Sequence, residues 1–262
     1  MDNTVKLTVL RLDESGSSQI EDSVVRELPL TIFFNGSELV TMLCSPARLK
    51  ELAAGFLFSE GFIEGREDIK SIIVDDKRGL ARVESSRESK MADEGVFRRF
   101  ITSGCGRGAS FYSAADIDQN SRVESDVTIS AASIHELMKN FQQRSEVFRA
   151  TGGVHSAGLV RGGRVAAFAE DIGRHNAVDK IFGSCLLEGI DTKDGAIITS
   201  GRISSEILLK VAKRGIPILI SKSAPTNLGV KLADDLGVTL VGFVRGRRMN
   251  VYTHSRRITA DV

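Results

Sequence analysis

An α/β fold is predicted by two features of the chain. From residue 164 onward, short stretches rich in Val, Ile and Ala alternate with stretches of helical spacing, and each helical stretch ends near a glycine. Alternation of strands with helices of roughly 10 to 15 residues implies right-handed crossovers and a mainly parallel sheet. The first third differs, reading as strands and hairpins around one amphipathic helix. At 262 residues the chain suits two domains with separate cores. The expected boundary lies near residue 125, between a smaller, mixed β-rich N-terminal domain (1–125) and an α/β domain (126–262).

"VKLTVLRLD" alternates apolar and polar residues, the period of a strand. "LPLTIFFNGSELVTMLC" reads as two strands around Asn35-Gly36, a pair that supplies the positive φ of a tight hairpin turn. Ser45-Pro46 is the expected N-cap and first position of a helix whose Leu49, Leu52, Ala53, Phe56 and Leu57 share one face. "IKSIIVDDKRGLARVESS" reads as a further hairpin. Residues 85 to 128 are polar and weakly patterned, as in a partly ordered arm or linker. Ser133-Ile134-His135-Glu136 has the form of a capping box, with Ile134, Leu137, Met138 and Phe141 as the apolar stripe of its helix. Beyond it, "RVAAFAED", "GAIITSG", "IPILISKSA" and "VTLVGFVR" are expected strands. "RHNAVDKIFGSCLLEG", "SSEILLKVAKRG" and "TNLGVKLADDLG" are the expected helices between them.

Composition narrows the function. Apolar residues at 42% and charged residues at 26% are the proportions of an ordinary globular protein. Lys plus Arg (35) nearly balances Asp plus Glu (34), so no global charge points to nucleic acid or a membrane surface. No apolar run is long enough for a membrane span, and the N-terminus lacks a signal-peptide core, so a cytoplasmic location is expected. The cysteines Cys44, Cys105 and Cys185 are odd in number and widely spread, which fits a reducing compartment. With no CxxC, a structural zinc site is not expected.

Ligands of layered α/β domains bind where strands end and loops begin. Three polar loops hold such places. "AEDIGRHNAVDK" carries Glu170, Asp171, Arg174, His175, Asn176 and Asp179; "TSGRISSE" carries Ser200, Gly201, Arg202, Ser204 and Ser205; "SKSAPTN" is the third. Together they suggest a pocket for a phosphorylated ligand, N-capping and solvated turns being the alternative. The segment "FVRGRRMNVYTHSRR" adds Arg245, Arg247, Arg248, Arg256 and Arg257 with no acidic residue, and arginine forks suit phosphate. His155 follows a glycine pair, and His175 sits in the charged turn. Cys185 falls on an apolar helical face and Cys44 at a strand end, both structural positions. Cys105 differs, because Gly104, Gly106 and Gly108 free its backbone while Arg98, Arg99 and Arg107 favour the thiolate.

"ELAAGFLFSEGFI", "TSGCG", "TGGVHSAGL", "AEDIGRHNAVDKIFG" and the long run from "SGRISSEILLK" to "FVRGRRMNVYTH" resemble the formate dehydrogenase accessory sulfurtransferase family, the FdhD sulfur carriers. The resemblance implies a C-terminal cytidine-deaminase-like three-layer α/β/α domain and a homodimer. It implies a sulfur carrier that takes persulfide sulfur from a cysteine desulfurase. The sulfur passes to a molybdenum or tungsten bis-pterin guanine dinucleotide cofactor destined for formate dehydrogenase. Cys105 matches the persulfide position. Phe243, Val244, Arg245, Gly246, Arg247 and Arg248 match the cofactor-binding segment, with Arg202 and His175 completing the pocket. One departure stands out: many members carry CxxC here, whereas this chain reads Cys105-Gly106-Arg107-Gly108. A cofactor-binding chaperone without sulfur transfer is the competing reading. A zinc deaminase is disfavoured, because Pro225 is followed by Thr-Asn-Leu and no cysteine follows Cys185.

Overall fold

The computed structural model describes residues 2–87 and 122–260. The central part of the arm expected at 85–128, with Cys105 in it, lies outside the described residues. Its flanks do not: Ser85 closes a strand, and Val123 is buried with its N–H donating to Leu236 O (2.9 Å).

β1 (Thr4–Asp13) and β2 (Gly16–Val25) form an antiparallel ribbon. Its alternation buries little, since Leu7, Leu10 and Leu12 are exposed. β3 (Leu28–Phe34) and β4 (Ser37–Cys44) meet at the expected turn, with φ of 48° at Asn35 and 81° at Gly36. Helix α1 (Leu49–Glu60) starts later than Pro46. Ser45 is engaged elsewhere: its N–H donates to Asp171 Oδ2 (3.0 Å) and its hydroxyl accepts from Ile172 N–H (3.1 Å). With β5 (Ile69–Asp75) and β6 (Leu80–Ser85), β3 and β4 make a four-stranded sheet of order β4-β3-β6-β5. Leu52, Phe56 and Leu57 of α1 pack over Leu30, Ile32, Met42 and Val83 of that sheet.

After β7 (Ile129–Ser130) comes α2 (Ala131–Gln143), with the expected stripe buried. Its cap is Ser130, whose hydroxyl accepts from Ser133 N–H (3.1 Å), so the helix begins one turn before the anticipated box. The order continues with α3 (Glu146–Thr151), β8 (His155–Arg161), β9 (Arg164–Asp171) and α4 (Arg174–Glu188). Then come β10 (Ala196–Thr199), α5 (Ser205–Ala212), β11 (Ile218–Ser221), α6 (Asn227–Asp235), β12 (Thr239–Arg245), β13 (Arg248–Val251) and β14 (Ile258–Thr259).

The larger sheet has the order β13-β12-β11-β10-β8-β9. It is mixed rather than mainly parallel: β10, β11 and β12 run parallel, while β13, β8 and β9 pair antiparallel with their neighbours. The cause is local. Gly162 and Gly163, with φ of 57° and 71°, turn β8 directly into β9, and a two-residue turn can join only antiparallel strands. Alternate strand residues serve opposite faces. Val160, Ile198, Ile220 and Val241 meet α2 on one side; Leu159, Ile197, Leu219 and Leu240 meet α4, α5 and α6 on the other. The result is a three-layer α/β/α arrangement. The far side of α4 packs on α1, so this helix pair joins the two sheets.

Candidate functional site

The carboxyl ends of β10, β11 and β12 open into a cavity of about 670 Å³. Ser200 lines it from the end of β10, Lys222 and Ser223 from the end of β11, and Arg245 from the end of β12. Such a position is where parallel strands leave backbone and loop groups for a ligand. The volume falls in the range of small-molecule sites. The opposing wall comes from the end of α2, from α3, and from the turn Gly152 to His155.

A bulge aims Arg245. Between Gly242 and Arg245 the β12–β13 register shifts, so Phe243 and Val244 together oppose Met249. Phe243 takes the left-handed conformation (φ 54°) that a bulky side chain rarely adopts. Its N–H donates to Ser223 O (3.0 Å), and the Arg245 guanidinium lies 5.4 Å from its ring centroid while Arg245 Nε donates to Lys222 O (3.0 Å). Strain of this kind gathers at ligand sites, and bulges re-aim side chains there. The other residues of this segment separate. Val244 is buried in the core beneath α2, so its side chain does not face the cavity. Gly246 (φ 57°) and Arg247 form the β12–β13 turn, and Arg248 starts β13, all exposed.

Beside the cavity-lining His155 stand Arg174, Arg202 and His175. Burial first, then Arg174, Arg202 and His175, push the His155 pKa below its ordinary value, with Asp171 opposing. Its imidazole is therefore neutral at pH 7. His175 Nε2 lies 2.9 Å from Glu206 Oε2, and Arg202 is exposed.

Three sequence-based expectations need correction. Much of the charged turn at 170–179 faces inward. Lys180 Nζ sits 2.6 Å from Asp171 Oδ2, both side chains fully buried. Asp171 also accepts from Ser45 N–H, Gly173 N–H (2.8 Å) and Asn176 Nδ2 (2.9 Å), stapling the start of α4 to the segment before α1. Asp179 likewise holds Lys210 (2.7 Å) and Ser59 (2.7 Å). Glu170 turns to α3, accepting from Val147 N–H (3.1 Å) and Phe148 N–H (3.0 Å); burial raises its pKa against those two bonds. Arg257 is no phosphate grip, being buried with its guanidinium on Ser125 O (3.0 Å), Gly237 O (2.9 Å) and Thr239 Oγ1 (3.1 Å). Finally, Ser204 and Thr226 act as N-caps of α5 and α6 rather than as pocket groups. The wall at Gln142, Gln143, Phe148 and Arg149 carries no motif of its own. Its one sequence signal is the Gly152-Gly153 pair closing a very short helix.

Among the described residues no group of three or more His, Cys, Asp or Glu is placed to hold a metal ion. No helix there is long and apolar enough to cross a membrane. Cys44 and Cys185 are buried, and burial, foremost, pushes both thiols up to about 12.

Fold and cavity define a three-layer α/β protein with a basic cavity at the ends of its parallel strands. Comparison with known proteins gives the family: the FdhD/NarQ family matches over residues 25–259, and the chain belongs to it. It is 48% identical over 238 residues to the sulfur carrier protein FdhD of Bacillus pumilus, covering 91% of each chain. To the protein of the same name from Bacillus subtilis it is 44% identical over 250 residues, covering 95% of each. A candidate formate dehydrogenase accessory protein from Desulfotalea psychrophila, known from its crystal structure, superposes with a TM-score of 0.81 at 30% identity. That match covers 98% of this chain and 100% of the other.

Proposed function

We propose that the protein is a sulfur carrier for formate dehydrogenase. A cysteine desulfurase loads a persulfide on Cys105, and the outer sulfur passes to a molybdenum or tungsten bis-pterin guanine dinucleotide cofactor, its cargo. The observation that carries this reading is the state of the other two thiols. The chain has three cysteines, and Cys44 and Cys185 are buried with thiols pushed up to about 12. Neither supplies thiolate at neutral pH, and thiolate is the reacting form. Cys105 is left, among glycines and arginines. The names of the 44–48% identical Bacillus relatives support the same assignment.

Lys222 and Arg245 are the residues we assign to the cargo's phosphates, with Ser200 and Ser223 donating beside them. Phe243, Gly246, Arg247 and Arg248 extend that contact, and Arg202 and His175 flank it near His155. Cys105 lies 18 residues beyond Arg87 and 17 before Arg122, a covalent reach of up to roughly 55–65 Å from either anchor. When a nucleophile takes the outer sulfur, the S–S bond breaks and its electron pair stays on Cys105 as thiolate. With Gly106-Arg107-Gly108 in place of a second cysteine, no disulfide within the motif assists that step. The same reading makes residues 126–262 a cytidine-deaminase-like domain, residues 1–125 a smaller domain, and the working form a homodimer in the cytoplasm.

Formate dehydrogenase activity in cells lacking their own copy of the carrier tests this reading. Cys105→Ala is expected to reduce activity to the level of the empty strain. If Cys105→Ala retains activity while Arg245→Gln abolishes it, the protein is a cofactor chaperone that passes no sulfur.

A further inference from the structure

The two walls of the cavity differ in chemistry. The strand-end wall is cationic and hydroxylic, with Lys222, Arg245, Ser200 and Ser223. The helical wall presents Phe148 beside the amides of Gln142 and Gln143. Phe148 is 44% exposed, an unusual setting for a phenylalanine that lines a cavity. It is also held in place at some cost. Helix α3 has only six residues, too few to persist unaided, and its N-cap Ser145 makes no capping bond with its side chain. That hydroxyl pairs instead with Ser156 Oγ (2.9 Å). Glu170 of β9 takes over the cap, one carboxylate oxygen on Val147 N–H and the other on Phe148 N–H. On the outer side Val25 of β2 closes on Gly153, where a Cβ would fall 2.8 Å from Val25 Cγ1. The short helix that carries the exposed ring is thus held at its start by Glu170 and just past its end by Val25.

We infer that Phe148 is a stacking platform for the planar ring of a purine nucleotide, positioned by Glu170, while the strand-end wall takes the phosphates. Aromatic faces bind bases by stacking, and the nearby amides offer donors and acceptors to a base edge. This rests on the reading that the cavity receives the nucleotide-bearing cofactor, and assigns the end of the cavity that receives the base.

Equilibrium binding of inorganic pyrophosphate and of GDP to the full-length protein tests it. GDP is expected to bind at least about fivefold more tightly than pyrophosphate, the gain a stacked base supplies. Phe148→Ala and Phe148→Leu should each weaken GDP by roughly 5- to 150-fold with pyrophosphate unchanged. Phe148→Tyr should keep both affinities, and Glu170→Ala should weaken GDP selectively. Arg245→Gln should weaken both probes. If GDP and pyrophosphate bind equally, or if Phe148→Leu binds GDP as the unaltered protein does, Phe148 is not a stacking platform. If neither probe binds the unaltered protein, the cavity reading itself is wrong and the inference falls with it.

Discussion

Gly183→Ala is expected to destabilise the protein by about 3 kcal/mol, at the upper end of overpacking penalties. The helices α1 and α4 cross with their backbones in contact: a Cβ on Gly183 would lie 1.8 Å from Glu51 O, and one on Gly55 would lie 1.8 Å from Asp179 O. Both neighbours are main-chain atoms within helices, so no side chain can rotate away. The helices must separate, which loosens the packing between the two sheets on either side. In a chain of this size the melting temperature should fall by roughly 6–12 °C. Gly55→Ala should cost a similar amount, and the double variant less than the sum, because helices already separated by one methyl accommodate the second. Urea unfolding of the three variants checks this. A single-site cost under about 0.5 kcal/mol, the range of ordinary surface changes, would show that the crossing is not this close.

Lys180→Met is expected to cost about 3–5 kcal/mol, the loss on stranding one charge of a buried pair. Lys180 and Asp171 are fully buried 2.6 Å apart. Lys180 also donates to Ser45 O (3.2 Å) and Glu170 O (3.2 Å), so its removal unpairs two carbonyls as well as a carboxylate. Adding Asp171→Asn removes the stranded charge, and the double variant should recover about 1 kcal/mol or more, a coupling within the range for residues in contact. A double variant less stable than Lys180→Met would mean that the bonds of Asp171 to Ser45, Gly173 and Asn176 outweigh the cost of leaving its charge unpaired. The contrast also bears on function. Asp171 looks like a site residue by sequence, yet its bonds are those of a staple between chain segments 126 residues apart.

What the sequence reveals here is what local chemistry determines. Asn35-Gly36 marks its hairpin because few other pairs adopt two positive φ angles, and the stripe Ile134, Leu137, Met138 and Phe141 marks α2 because one face must be buried. That two of the strand-end loops converge is legible because parallel strands bring their ends together, and Ser200, Lys222, Ser223 and Arg245 do line one cavity. Features decided by distant partners are not legible. Ser45 is diverted from capping α1 by Asp171, Glu170 is diverted from the pocket by α3, and Arg257 is buried by the chain at Val123 and Ser125. Gly162-Gly163 carries a hairpin signal, but the residues flanking it have the apolar run of parallel strands rather than the alternation of a hairpin. Gly55 and Gly183 are a middle case. A glycine inside a helix costs about 1 kcal/mol relative to alanine, so its presence signals a close approach without saying to what.

Persulfide loading is the most direct test of sulfur carriage. The protein is incubated with a cysteine desulfurase and cysteine, digested without reductant, and the peptides holding Cys44, Cys105 and Cys185 are weighed. One added sulfur atom is expected on the Cys105 peptide and none on the other two, whose thiols are pushed up to about 12. Sulfur on Cys44 or Cys185 with none on Cys105 would contradict the assignment of Cys105 as the carrier.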